Sequence, residues 1–202
     1  MSEFWAYLQL GFSHITDPGG YDHILFVIAL CAIYTINQWK QVLILVTAFT
    51  LGHSLTLALA TLQLINYSTD LIELLIPITI LITAVTNFFY KIPKSLFNEQ
   101  PRQSPGRYVL ALLFGLIHGM GFSNYLRSLL GRQSSIVKPL FAFNLGLELG
   151  QIFIVIAVLA LAFFLVELMR VRRHDWNLIV SGIVAGMALS LIIGNEYLAE
   201  LF

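Results

Sequence analysis

Four histidines and three acidic residues stand out because of their spacing and their surroundings. His14, Asp17, Asp22 and His23 crowd into the stretch His14-Ile-Thr-Asp17-Pro-Gly-Gly-Tyr-Asp22-His23. His53 lies in Thr47-Ala-Phe-Thr50-Leu-Gly-His53-Ser54, and His118 in Phe114-Gly115-Leu-Ile-His118-Gly119-Met120. Glu148 lies in Asn144-Leu-Gly146-Leu-Glu148-Leu-Gly150-Gln151. Imidazole nitrogen and carboxylate oxygen together suit Zn2+, Ni2+ or Co2+, whereas Cu(I) prefers sulfur. The candidate metal ligands are therefore His14, Asp22, His23, His53, His118 and Glu148. Asp17, Ser54, Asn144 and Gln151 are candidates to orient those ligands by hydrogen bonds. Met120, beside His118, is a weaker candidate.

Each of these residues has a plain structural alternative. Asp22 stands where a helix N-cap would accept backbone N–H bonds. Thr47, Thr50, Ser54 and Thr61 share one helical face and can bond neighbouring helices. A lone buried His can be a packing residue. Two observations weigh against that for His53 and His118. His53 is about 12 residues, roughly 18 Å, from one end of its apolar run, and His118 is about 10 residues, roughly 15 Å, from the same side. Two imidazoles at one depth read better as a pair. Glu148 is the most telling residue. It is about 9 residues, roughly 14 Å, inside its run, where an isolated charge is very costly, so it must be protonated, paired or metal-bound. Asn144, Glu148 and Gln151 fall on one helical face.

The elements that must position these groups follow from composition. Of 202 residues, 58% are hydrophobic, 13% aromatic and only 11% charged, against roughly 25% charged in soluble domains. Apolar runs cover 23–39, 41–69, 74–90, 108–126, 139–166 and 176–195, each near the ~20 residues that span a bilayer. They predict an all-α, polytopic membrane protein: one domain over 1–202 with six transmembrane helices. Continuous rather than alternating hydrophobicity argues against a β-barrel. Residues 3–12, with Phe4, Trp5 and Tyr7, predict a short interfacial helix within an outer segment 1–20. Segment 91–107, with Pro93, Pro101 and Pro105, predicts a loop between two three-helix halves. Thr79, Thr83, Thr86 and Asn87 are read as packing residues, as are Gly182, Gly186 and Gly194.

With both termini outside, the inner connections hold Lys40, Lys91, Lys94, Arg102, Arg107, Arg170, Arg172 and Arg173. Only Arg127, Arg132 and Lys138 face out. By the positive-inside rule the termini are periplasmic and the membrane is a bacterial inner membrane. The opening Met-Ser-Glu-Phe-Trp has no basic region, so no cleavable signal is expected. Zero formal net charge leaves no basic field for nucleic acid. One cysteine, Cys31, excludes a disulfide framework. No Walker loop, GxGxxG, HExxH or GxSxG occurs. The partners expected are lipid and a metal ion, and a homo-oligomer is compatible with this composition.

In order along the chain, four stretches resemble the HupE/UreJ family of small bacterial membrane proteins associated with hydrogenase and urease systems. They are His14…Asp22-His23, Thr-Ala-Phe-Thr-Leu-Gly-His53-Ser-Leu-Thr, Phe-Gly-Leu-Ile-His118-Gly-Met-Gly-Phe and Phe-Asn144-Leu-Gly-Leu-Glu148-Leu-Gly-Gln151. The resemblance runs roughly from Gly11 to Gln151. It implies an inner-membrane nickel or cobalt permease. It carries the family's histidine and acidic motifs onto His14, Asp22, His23, His53, His118 and Glu148. Family members often begin with a signal peptide, and this sequence departs from them there.

The residues support two chemistries. A permease needs sites that bind and also release, which mixed His/carboxylate ligation provides. An intramembrane zinc hydrolase would use the same cluster with an open position for water. Glu148 or Asp22 would then be general base, with Ser54 or Asn144 steadying an oxyanion. One geometric condition decides whether a single site exists. A straight first helix would leave His23 roughly 14 Å from the midplane pair, so the 14–23 segment must dip inward, as Pro18, Gly19 and Gly20 allow.

Overall fold

The computed structural model describes residues 2–91, 105–130 and 136–200. Those residues form helices and connections only. α1 (Glu3–Thr16) is capped by Ser2, whose side chain accepts from the Trp5 N–H. α2 (Asp22–Cys31) follows after a turn. A short 3-10 turn (Ile36–Gln38) leads into α3 (Trp39–Thr61). Next come α4 (Thr69–Phe88), α5 (Pro105–Gly121) and α6 (Ser123–Leu130). α7 (Val137–Ala162) continues through wider π turns to Leu168. α8 (Arg173–Ile193) and the short α9 (Glu196–Glu200) complete the chain.

Among the described residues, four helical stretches are long and apolar enough to cross a membrane. They are Ile36–Thr61, Thr69–Phe88, Val137–Leu168 and Arg173–Ile193. α5 and α6, bent by 48° about Phe122, make a fifth if taken as one. These match five of the expected runs. The expected run 23–39 does not form one helix. α2 ends at Cys31 after 10 residues, about 15 Å, half of a bilayer core. The N-terminal helix is longer than the expected 3–12 and lies alongside α7 rather than across the bundle end. Most of the expected 91–107 loop lies outside the described residues. Its last residues belong to α5, so Arg107 is a helical residue and not a loop one.

Glycines dictate how the helices pair. A Cβ on Gly52 would overlap the Leu112 carbonyl, one on Gly115 the Phe49 carbonyl, and one on Gly119 the His53 carbonyl. The matching order of these contacts makes α3 and α5 a parallel pair in backbone contact. α1 and α7 form a second parallel pair: Gly11 meets the Phe143 carbonyl, Gly146 the Leu8 carbonyl and Gly150 the Ile15 side chain. In both pairs small residues allow backbone approach, the means by which helices associate where no hydrophobic force draws them together. α8 runs antiparallel to α4. Asn177 donates to the Asn87 carbonyl at one end, and Glu196 lines a cavity with Asp70 at the other.

α2 fills the centre, with Leu25, Phe26, Val27, Ala29 and Leu30 buried. Its far end is tied to α4, where the Asn87 amide donates to the Ala29 carbonyl at 2.8 Å. Arg107 donates to the Asn87 side-chain oxygen, and the Ser181 hydroxyl donates to Asn177. Asn87 thus joins α2, α4, α5 and α8 at one level and is more than the packing residue its sequence context indicates. In α4, Pro77 removes one backbone donor. The Thr79 and Thr83 hydroxyls donate to the carbonyls of Ile76 and Thr79. Outward-facing Ile44, Leu51 and Leu55 on α3 are exposed apolar residues, as a lipid-facing surface requires.

Gly115→Ala is expected to destabilise the protein by about 1–3 kcal/mol, the usual cost of overpacking. Gly186→Ala, where an added Cβ meets nothing within 4 Å, should leave thermal stability in detergent unchanged or slightly higher. Equal melting temperatures for the two variants would contradict the α3–α5 contact described above.

Candidate metal centre

Four imidazoles converge between the two glycine-paired couples. The last turn of α1 supplies His14. Pro18 then stops the helix. Asp17 forms the turn, its carboxylate accepting the Gly19 N–H at 2.8 Å. The chain re-enters helix at Asp22, and the first turn of α2 supplies Asp22 and His23. α3 supplies His53 and α5 supplies His118, fixed in register by the Gly52, Gly115 and Gly119 contacts. The inward dip that a single site demands is therefore made, and the 17–21 turn makes it. Its exposed residues line two cavities.

The ring of His23 lies at the hub. Its centroid is 4.7 Å from that of His14, 5.1 Å from His118 and 6.0 Å from His53. His53 and His118 are fully buried and His23 is 4% exposed. Two sets of ligand atoms lie within 4.8 Å of one another: His14, His23 and His53, and Asp22, His23 and His118. A tetrahedral centre with metal–nitrogen bonds of about 2.0–2.1 Å holds its ligands roughly 3.4 Å apart, so sub-ångström to one-ångström movements would close either set. Because His23 belongs to both, the two sets are alternatives or neighbours and not independent sites.

The hydrogen-bond accounting points the same way. His23 Nδ1 is 3.1 Å from an Asp22 oxygen, and His118 Nε2 is 3.0 Å from the Thr79 hydroxyl. His14 Nε2, His23 Nε2, both nitrogens of His53 and His118 Nδ1 are buried without a hydrogen-bond partner. Each such atom costs roughly 1–3 kcal/mol if left unsatisfied. Aromatic rings wall the cluster. Phe122 stacks on Phe143 at 5.0 Å and lies 3.9 Å from the His14 ring, while Phe26 and Phe49 pack beneath His118. The donors are imidazole and carboxylate only, the set that binds Zn2+, Ni2+ or Co2+.

The other candidates stand apart. Glu148, half-buried, accepts from the Thr47 hydroxyl at 2.9 Å. Gln151 is bonded to Thr50 at 2.7 Å. Thr50 and Thr47 lie three and six residues before His53, about 4.5 and 9 Å along α3. Glu148 is in neither three-ligand set. The Asn144 side-chain oxygen is buried and unpartnered. Ser54 is half-buried and in neither set, and Asp17 is exposed in its turn. Thr79 is the residue that sequence reasoning set aside as packing. Its signal was available: a Thr near the centre of an apolar helix at the depth of His118.

Two cavities reach the cluster. One of about 790 Å³ is walled by Asp22, Asp70, Glu73 and Glu196. The other, about 690 Å³, is walled by His14, Asp17, Phe122 and Tyr125. Toward Asn87 a cavity of about 20 Å³ lies between Phe26, Phe114 and Arg107.

The family model described as HupE / UreJ protein matches residues 1–198. Neither the curated proteins nor the solved structures include a match.

This geometry separates the ligands. In a titration of purified protein with Co2+, followed by its visible absorption, His23→Ala is expected to abolish binding because both sets lose a member. Glu148→Gln should change affinity by less than about threefold, since an amide oxygen can still accept from Thr47. A Glu148→Gln loss as deep as that of His23→Ala would place the carboxylate among the ligands.

Proposed function

This chain belongs to the HupE/UreJ family, and from that membership we propose that it is a membrane permease for a divalent transition metal, nickel or cobalt. The observation that carries this reading is the set of buried imidazole nitrogens that lack any partner around His23. A cation is the partner that satisfies several such lone pairs at once. The absence of sulfur from the set favours Ni2+, Co2+ or Zn2+ over Cu(I). Carboxylates at the mouth of the larger cavity support entry of a cation there, since Asp70, Glu73 and Glu196 share its wall with Asp22. Two ligand sets that share His23 suit an ion handed from one to the other and released, rather than one held permanently.

In this reading α1 and α2 form one broken crossing, interrupted at 17–21, and complete six spans with α3, α4, the α5–α6 pair, α7 and α8. Both termini then lie on the side of the acidic cavity, and the basic residues Lys40, Lys91 and Arg170 lie on the other, as expected for a bacterial inner membrane. The zinc-hydrolase alternative draws less support. Of its two candidate bases, Glu148 is engaged by the Thr47 hydroxyl and Asp22 by His23.

Reconstituted in liposomes, the protein should accumulate Ni2+ or Co2+, and His23→Ala should reduce uptake to the background of empty vesicles. Elemental analysis should find a single weakly held ion per chain that is lost on dialysis. Retention of zinc through dialysis, with no uptake of any first-row metal, would overturn the permease reading in favour of hydrolysis.

A further inference from the structure

We propose that Thr79 is a positioning residue that fixes the tautomer of His118, leaving the lone pair of Nδ1 free for a metal ion. The inference deepens the metal-binding reading above and rests on it for its consequence, though not for its geometry. The Thr79 hydroxyl lies 2.7 Å from the Ile76 carbonyl and 3.0 Å from His118 Nε2. A carbonyl can only accept, so the single hydroxyl proton is committed to Ile76. The hydroxyl oxygen is then left to accept from Nε2, which must carry the imidazole proton. Thr79 is 2% exposed and His118 fully buried, so no solvent competes for either group.

The opposite arrangement breaks one of these bonds. If Thr79 donated to Nε2, the Ile76 contact would lose its proton. The site would also face an N–H where a ligand needs a lone pair. His23 is set the other way round. Its Nδ1 faces the Asp22 carboxylate, so Nε2 is the open nitrogen. Two imidazoles of one ligand set thus present different nitrogens, each chosen by its own buttress. An outer partner that fixes ring orientation typically changes metal affinity by about 10–100-fold when removed.

The test has two independent arms. In metal-free protein labelled with 15N-histidine, NMR should show His118 protonated at Nε2. Thr79→Ser should preserve that state, and Thr79→Val should convert it to a mixture or to Nδ1–H. In Co2+ titrations Thr79→Val should weaken binding ten- to a hundredfold. Thr79→Ser should restore it to within about threefold, and Thr79→Val should add nothing further in a His118→Ala background. A wild-type His118 protonated at Nδ1, or Thr79→Val with unaltered tautomer and affinity, overturns the proposal. If Thr79→Val does not fold, the wild-type and Thr79→Ser spectra still decide the tautomer. If wild-type protein binds no metal, the permease reading falls while the tautomer result stands on its own.

Discussion

Five imidazole nitrogens sealed among phenylalanine rings without a hydrogen-bond partner are the constraint around which this bundle is organised. Lipid offers them no hydrogen bond, so their partner must be a water or an ion. The fold nevertheless brings them together, and it does so with costly devices. A helix is broken at Pro18. Two helix pairs are drawn into backbone contact, which needs glycine at every crossing. Phe122 and Phe143, and Phe26 and Phe49, pack on each other and wall in polar groups at the same time. Such an arrangement is maintained against its own desolvation cost only when something completes it.

The two ends of the cluster are unlike. On one side the cavity beside Asp22 is wide and acidic. On the other, Phe26, Phe49 and Phe114 close the passage, and behind them Arg107 is held by Asn87 in a network that ties four helices. A cation that reaches His23 from the acidic side meets an apolar stop and then a fixed positive charge. The cluster thus borders wide cavities on the Asp22 side, while aromatic rings and the Arg107–Asn87 network lie on the other.

Much of this was legible in the residues. Equal depth of His53 and His118 followed from counting along two apolar runs, and both rings meet His23. The Gly115/Gly119 and Gly146/Gly150 spacings signalled close backbone approach, and Pro18-Gly19-Gly20 allowed the inward dip. What was not legible depended on rotation and register between helices. Glu148 reads as a candidate ligand because a carboxylate at depth must be compensated, and sequence cannot say that it accepts from Thr47 on α3. Thr79 and Asn87 carry ordinary polar side chains whose neighbours come from elements distant in sequence. The apolar run 23–39 hid the end of α2 at Cys31, because the turn that follows contains Ala32, Ile33 and Tyr34, residues as apolar as the helix itself.

The pairing of α1 with α7 also bears on how the protein is made. α1 is made long before α7, the helix whose glycines receive it through Gly146 and Gly150. Until then the segment bearing His14 has no seat, and α2 alone is too short to anchor it. The imidazole cluster is consequently closed by a helix that follows all of its own members in the chain. The His14, His23 and His53 group is therefore seated only once α7 is made, whereas every member of the Asp22, His23 and His118 group already stands on α2 and α5.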